Sequence, residues 1–170
     1  MGEDLKKSLD LGSGEFPRNP FNAEELFGVD IVKFKSKNVL QSDLVINPIP
    51  FPDSSFDYVT AYDFLEHIPR LLYYKKKRVQ PFIELMNEVW RVLKPGGILK
   101  AHTPAYPKSE AFVDPTHVNF ISENTVNYFC GGEYTNLSKS YGFEVMFEKI
   151  SVRWDEEWEY HLIWEIAALK

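Results

Sequence analysis

The stretch that decides the fold is Leu9-Asp10-Leu11-Gly12-Ser13-Gly14, answered further along by Phe27-Gly28-Val29-Asp30. An apolar strand, Ser8 to Leu11, runs into a Gly-x-Gly turn, and a second apolar stretch ends in a carboxylate. In an open parallel sheet this pattern sets a glycine turn and an acidic residue side by side at the C-terminal ends of adjacent strands, where such sheets bind nucleotides. The glycines let backbone approach a ligand with no Cβ in the way. The Asp30 carboxylate can accept hydrogen bonds from both hydroxyls of a ribose. The expectation is a site for an adenosine-like ligand.

Working outward, Gly12 to Asn22 reads as loop, because Pro17 and Pro20 interrupt any long helix. Glu24 to Phe27 is expected as a helical turn before a second strand that ends at Asp30-Ile31. Asn38 to Leu44 reads as a third strand, Ile49 to Ser55 as a turn-rich connection, and Phe56 to Tyr62 as a fourth strand. Phe82, Leu85, Met86, Val89, Trp90 and Leu93 recur at helical spacing, so a helix is predicted over Pro81 to Leu93, with Pro81 suited to its first turn. Lys94-Pro95-Gly96-Gly97 stops it, and Ile98 to Thr103 is a fifth strand. Ser122 to Phe129 is expected as a short helix with Ser122 as its N-cap. Phe143 to Trp154 and Trp158 to Leu169 read as strands joined at Asp155-Glu156-Glu157, hence an antiparallel C-terminal hairpin. Parallel units followed by a hairpin imply a mostly parallel sheet with one reversed strand.

The chain has 170 residues, 44% of them hydrophobic, and a formal net charge of −6. That length fits a single domain over residues 1–170 with a sizeable core. The acidic balance does not indicate nucleic-acid binding. The single cysteine, Cys130, excludes an internal disulfide and fits a reducing, cytoplasmic setting. No apolar run is long enough for a membrane span, and Met1 to Ser8 shows no signal-peptide core.

Taken together, the glycine turn, Gly28-Val29-Asp30, Ser42-Asp43, Pro50-Phe51-Pro52-Asp53-Ser54-Ser55-Phe56-Asp57, Leu65-Glu66-His67-Ile68 and Glu88 to Gly97 resemble class I S-adenosylmethionine-dependent methyltransferases, and in particular the type 11 group. The resemblance covers roughly residues 8 to 104. It implies an α/β, Rossmann-like fold with a mostly parallel seven-stranded sheet and an antiparallel C-terminal hairpin, and S-adenosyl-L-methionine as cofactor. It assigns Asp10, Gly12, Ser13 and Gly14 to the loop at the amino-acid end of the cofactor. Asp30 falls to the ribose hydroxyls with Ile31 against the adenine, and Asp43, with Leu44 as apolar neighbour, to the adenine amino group. Tyr62 stands where the methionine end and the substrate meet, and Asp63 and Tyr106 line the substrate side.

The sequence departs from the family pattern in two places. Glu15-Phe16-Pro17 replaces a further glycine, and the helical region that usually precedes the first strand is absent from the sequence, which suggests an open site, a partner that supplies the lid, or a truncated chain. A nicotinamide-dependent oxidoreductase would share the Gly-x-Gly and the acidic residue but not the Pro-Phe-Pro-Asp and Lys-Pro-Gly-Gly segments.

The expected general base is His117, in the loop Asp114-Pro115-Thr116-His117 after strand five, where an imidazole can titrate near neutral pH; the bland alternative is a histidine that orders its own loop. Glu66-His67 is expected to act structurally, and Asp53 and Asp57 to set the turn before strand four. Leu71 to Arg78 is expected as a solvated helix face. No metal site is expected, because His102, His117 and Asp114 lack tight ligand spacing. The acceptor is expected to be a small molecule. The alternative reading is a degenerate methyltransferase-fold binding or regulatory module without catalysis, with a homo-oligomer contact through the tryptophan-rich hairpin.

Overall fold

The computed structural model describes residues 5–170; the readings placed on Met1 to Asp4 lie outside them. Nine strands and two α-helices follow in order: β1 Lys7–Leu11, β2 Glu25–Asp30, β3 Val39–Gln41, β4 Phe56–Tyr62, β5 Leu72–Tyr74, β6 Lys77–Val79, α1 Pro81–Val92, β7 Leu93–Pro104, α2 Thr135–Ser140, β8 Met146–Trp154 and β9 His161–Leu169. Seven strands form one sheet in the order β3-β2-β1-β4-β7-β9-β8. The first five are mutually parallel. β9 runs antiparallel to both β7 and β8. This is the expected Rossmann-like sheet with its reversed C-terminal strand.

Alternation along the strands assigns the two faces. Leu9, Leu11, Val59, Ala61, Leu99, Ala101, Leu162, Trp164 and Ile166 are buried in one core cluster with Phe82, Leu85, Met86, Val89 and Val92 of α1. Burying each such side chain contributes roughly 1.5–3 kcal/mol, which is why α1 forms and lies where it does. The opposite face carries Ser8, Asp10, Tyr58, Thr60, Tyr62, Lys100, His102 and Glu165. No helix lies between β1 and β4. The loop from Gly12 to Glu24 takes that place: Phe21 stacks on Tyr58 with ring centroids 4.2 Å apart, the Arg18 guanidinium sits 4.7 Å over the Tyr62 ring, and the Lys100 ammonium approaches Phe21.

Several local expectations are corrected. Glu24 to Phe27 is not a helical turn: Glu25 already pairs with Lys7 in β2, and the Phe27 ring is drawn into an edge-on cluster with Phe51 and Phe56. The third strand stops at Gln41, because the Asp43 side chain accepts the Val45 amide and its carbonyl accepts those of Ile46 and Asn47, folding the chain into a turn. β7 begins at Leu93, well before Ile98, since Leu93 pairs with Phe56 and the Pro-Gly-Gly segment is taken up as an irregularity in the register. Ser122 to Phe129 forms only a 3-10 turn over Thr125–Tyr128, whose N-cap position is Asn124 with no side-chain cap bond, so Ser122 is not its N-cap. Leu71 to Arg78 is a hairpin of β5 and β6, turning at Lys75 and Lys76 in the left-handed region, with Tyr73 exposed. The C-terminal strands start later than predicted, at Met146 and His161.

Candidate active site

Gly12, Asp30, Asp43 and Tyr62 all stand at or just past the C-terminal ends of parallel strands, so the topology gathers them along one edge. The amides of Gly12 and Ser13 both donate to the Val29 carbonyl, folding the glycine turn back over β2. Gly12 has φ +65° and the Phe64 ring lies 2.5 Å from where a Cβ would stand, so only glycine fits there. Gly14 also has positive φ, but a Cβ there would meet nothing within 4 Å, and the space above it is open. Ser13 Oγ donates to the Gly14 carbonyl.

Asp30 accepts the Gly14 amide at Oδ2 (2.9 Å) and the Val32 amide at Oδ1 (2.8 Å). Each oxygen keeps a second lone pair for a ligand. Ile31 beside it is 63% exposed, an apolar surface with nothing packed on it. Asp43 stands in the turn after β3, and Leu44 is buried in the core. Asp10 is buried at the centre of the site, where Thr60 Oγ1 donates to Oδ1 at 2.6 Å and the Arg18 amide donates to Oδ2 at 2.8 Å. Desolvation nevertheless leaves its carboxyl above the ordinary range. Its two bonds fasten the glycine loop to β4.

The corner after β4 carries the chemistry. Asp63 has φ 48°. Its Oδ1 lies 2.6 Å from Nε2 of His161, the first residue of β9. His161 stacks on His102 of β7, with centroids 4.3 Å apart and planes within 5°. His102 Nε2 in turn lies 3.2 Å from Asp155 Oδ2. Burial pushes the Asp63 carboxyl up, but the hydrogen bond and charge of His161 outweigh it and hold it below the usual range. Burial and the neighbouring His161 push His102 down, which favours its neutral form. Desolvation also raises the Tyr62 phenol.

His117 has partners of its own. Its Nδ1 contacts the Ala111 carbonyl at 3.0 Å and its ring packs against that of His67. The imidazole at the Asp63 corner is His161. It sits inside an apolar strand run and meets its partner across 98 residues, so the only sequence signal was a lone polar residue at the start of a core strand. Tyr106 opens on a second space, a cavity of about 940 Å³ walled by Phe82, Phe112, Phe120, Tyr128 and Phe129, with Arg70 at its rim. Arg70 is fixed by Asn119 Oδ1 and the Phe120 carbonyl. Cys130 is half-buried and its thiol is pushed up to about 11, which leaves it protonated and unreactive at neutral pH.

Residues 9–101 match the methyltransferase domain family. A demethylmenaquinone methyltransferase of Listeria welshimeri is 37% identical over 59 residues, 35% of this chain and 20% of that protein, so the match spans about a fifth of the relative's length. Among solved structures, an S-adenosylmethionine-dependent methyltransferase of Aquifex aeolicus superposes with a TM-score of 0.60 at 18% identity, covering 98% of this chain and 85% of that one. A Haemonchus contortus phosphoethanolamine N-methyltransferase, bound to phosphoethanolamine and S-adenosylhomocysteine, gives 0.61 at 12% identity, covering 97% of this chain and 39% of the other.

Proposed function

The chain belongs to the methyltransferase domain family, and on that premise we propose that it transfers a methyl group from S-adenosyl-L-methionine to a small-molecule acceptor. The observation that carries this reading is the glycine turn, open above Gly14, with the Asp30 carboxylate hydrogen-bonded to it and the Asp63 corner further along the same edge. The residues fit the cofactor: the space over Gly14 is free, Asp30 has lone pairs for a ribose diol, and the Ile31 side chain lies bare for an adenine face.

When bound, S-adenosyl-L-methionine supplies a methyl group already made electrophilic by its sulfonium. The protein's part is alignment, which can contribute about 7–11 kcal/mol, together with handling the acceptor's proton. Asp30 orients the ribose and Ile31 the base. Asp63, ionised and exposed at the strand end, accepts the proton of a hydroxyl or ammonium acceptor, while His161 Nε2, held at Oδ1, spreads the charge. This moves the base from His117 to the Asp63–His161 pair. The aromatic walls of the cavity beyond Tyr106 suit an apolar or aromatic acceptor.

The test is calorimetric titration with S-adenosylhomocysteine, paired with Asp30→Ala. Binding in the micromolar range that the substitution abolishes supports the reading. A second reading, the same fold as a binding module without catalysis, draws on one observation: no helix follows the glycine turn, so no helix N-terminus faces the ligand. A protein that melts cooperatively but gives no heat with the ligand selects it.

A further inference from the structure

The chain's four histidines fall into two pairs, each beside a carboxylate. The pair His102 and His161 is already engaged: each Nε2 faces an aspartate, and the rings lie face to face. A metal ion binds in the plane of an imidazole, along the nitrogen lone pair, and two parallel stacked rings do not aim their lone pairs at one point.

The other pair is built differently. Glu66 lies on the 3-10 turn Leu65–His67 that follows β4 and is 1% exposed. Thr103 Oγ1 donates to its Oε2 at 2.8 Å, while Oε1 is buried with no partner among the described residues. A buried carboxylate oxygen without a donor is costly and rare. A nitrogen of His67, a nitrogen of His117 and a carboxylate oxygen of Glu66 lie within 4.8 Å of one another. The two rings cross at 76°, so their lone pairs can converge.

Both imidazoles are also preset. His67 Nδ1 lies 3.2 Å from the Thr116 carbonyl and 3.1 Å from Thr116 Oγ1, whose own proton goes to Asp114 Oδ1. His117 Nδ1 lies 3.0 Å from the Ala111 carbonyl. A carbonyl only accepts, so each Nδ1 carries the proton and each Nε2 is left with a bare lone pair. This is how proteins fix an imidazole for a metal. Asp114 Oδ2 stands 3.9 Å from His117 Nε2. The amides of Val118 and Asn119 both donate to the Glu66 carbonyl, which fastens the histidine loop to the turn.

We propose that Glu66, His67 and His117 form a site for one divalent first-row transition cation, with zinc the best match to two imidazoles and a carboxylate and Asp114 Oδ2 at hand as a further oxygen donor. The ion would pin the loop from Ala111 to Asn119 onto the turn three residues beyond Asp63. The inference does not rest on the methyltransferase reading, because metal uptake is measured without substrate or cofactor.

The experiment uses the full chain, stripped with a chelator and titrated with zinc while the histidine ring nitrogens are followed by NMR. One equivalent is expected to bind, moving the Nε2 resonances of His67 and His117 and leaving those of His102 and His161 in place. Glu66→Gln and His117→Asn, each checked for cooperative melting, are expected to weaken uptake at least about tenfold. No uptake at millimolar zinc overturns the proposal. So does uptake that shifts His102 and His161, or that survives both substitutions. The wild-type spectra decide even if a variant fails to fold.

Discussion

Asp63 occupies a left-handed backbone conformation that side chains other than those of asparagine and aspartate seldom adopt, and it does so where the chain leaves β4. Strain of this kind persists where surrounding structure fixes it, and it clusters at functional sites; here the His161 bond does the fixing. Asp63→Asn keeps the shape and tolerates the backbone, so it should still melt cooperatively, somewhat below the parent at pH 7 because the charged partner of His161 is lost. Its transfer rate, measured with labelled S-adenosyl-L-methionine once an acceptor is found, should fall by about 10²–10⁴-fold. An unchanged rate would remove Asp63 from proton handling. Because the Asp63 carboxyl is held below its ordinary range, the parent's activity should persist to lower pH than an unshifted carboxylate would allow, as far as this group is concerned. It should be lost only as pH falls through the depressed value; loss in step with an unshifted carboxyl would contradict the His161 pairing.

At the scale of elements, two positions carry unusual weight. A Cβ at Gly28 in β2 would stand 2.3 Å from Ser13 Oγ and 2.8 Å from Pro17 Cγ. Gly28→Ala must therefore push the glycine loop off the strand. It should destabilise the fold by about 1–3 kcal/mol in urea unfolding and weaken S-adenosylhomocysteine more than that loss alone explains. Arg91, near the end of α1, donates to the carbonyls of Ile49 and Phe51 and to the carboxylates of Asp53 and Glu88. Arg91→Met leaves the half-buried Phe51 carbonyl without a donor, while the Ile49 carbonyl keeps the Phe51 amide, and it strips Asp53 and Glu88 of their cation, so it should cost about 1–3 kcal/mol. These contacts also mark what the sequence could convey. β1, β4 and α1 were legible because their apolar periodicity coincides with the face they bury, and the glycine turn because its spacing to Asp30 follows from parallel pairing. Glu25 to Phe27, the β5–β6 hairpin and α2 were not, because tertiary partners or left-handed turn residues decide them. Asp30 could be read from its place at a strand end. His161 could not, since its role depends on a residue at the far end of another strand.

Across the whole molecule the sheet is unequal: one face is sealed by α1 and aliphatic side chains, the other is polar and covered mainly by a loop. The polar face is anchored at the end of the strands away from the site by Asp57, which accepts from Lys6 Nζ, Lys94 Nζ and the Lys7 amide and so ties β1, β4 and β7 together. Burial pushes its carboxyl up, but those donors outweigh burial and bring it to about 2, below the ordinary 3.8. The folded value is the lower one, so this stabilisation is complete above the unfolded value and is lost as pH falls through the folded one. With Lys6 largely exposed, solvent screening reduces the contribution to ~1 kcal/mol. Asp57→Asn should therefore be less stable than the parent at pH 7, with a difference that shrinks as pH falls below the ordinary carboxylate value and largely closes as pH falls through about 2; a constant difference would show that the loss is one of packing alone. The loop that replaces a helix has its own consequence. It roofs the strands through Arg18 and Phe21 and, on the proposed reading, would also hold the ligand through Gly14, which would make recognition and local breathing one event. Occupancy should then slow hydrogen exchange at the amides of Ser8 to Asp10 and Thr60, deep in the sheet and remote from any direct contact, while the amides of β8 keep their unliganded rates.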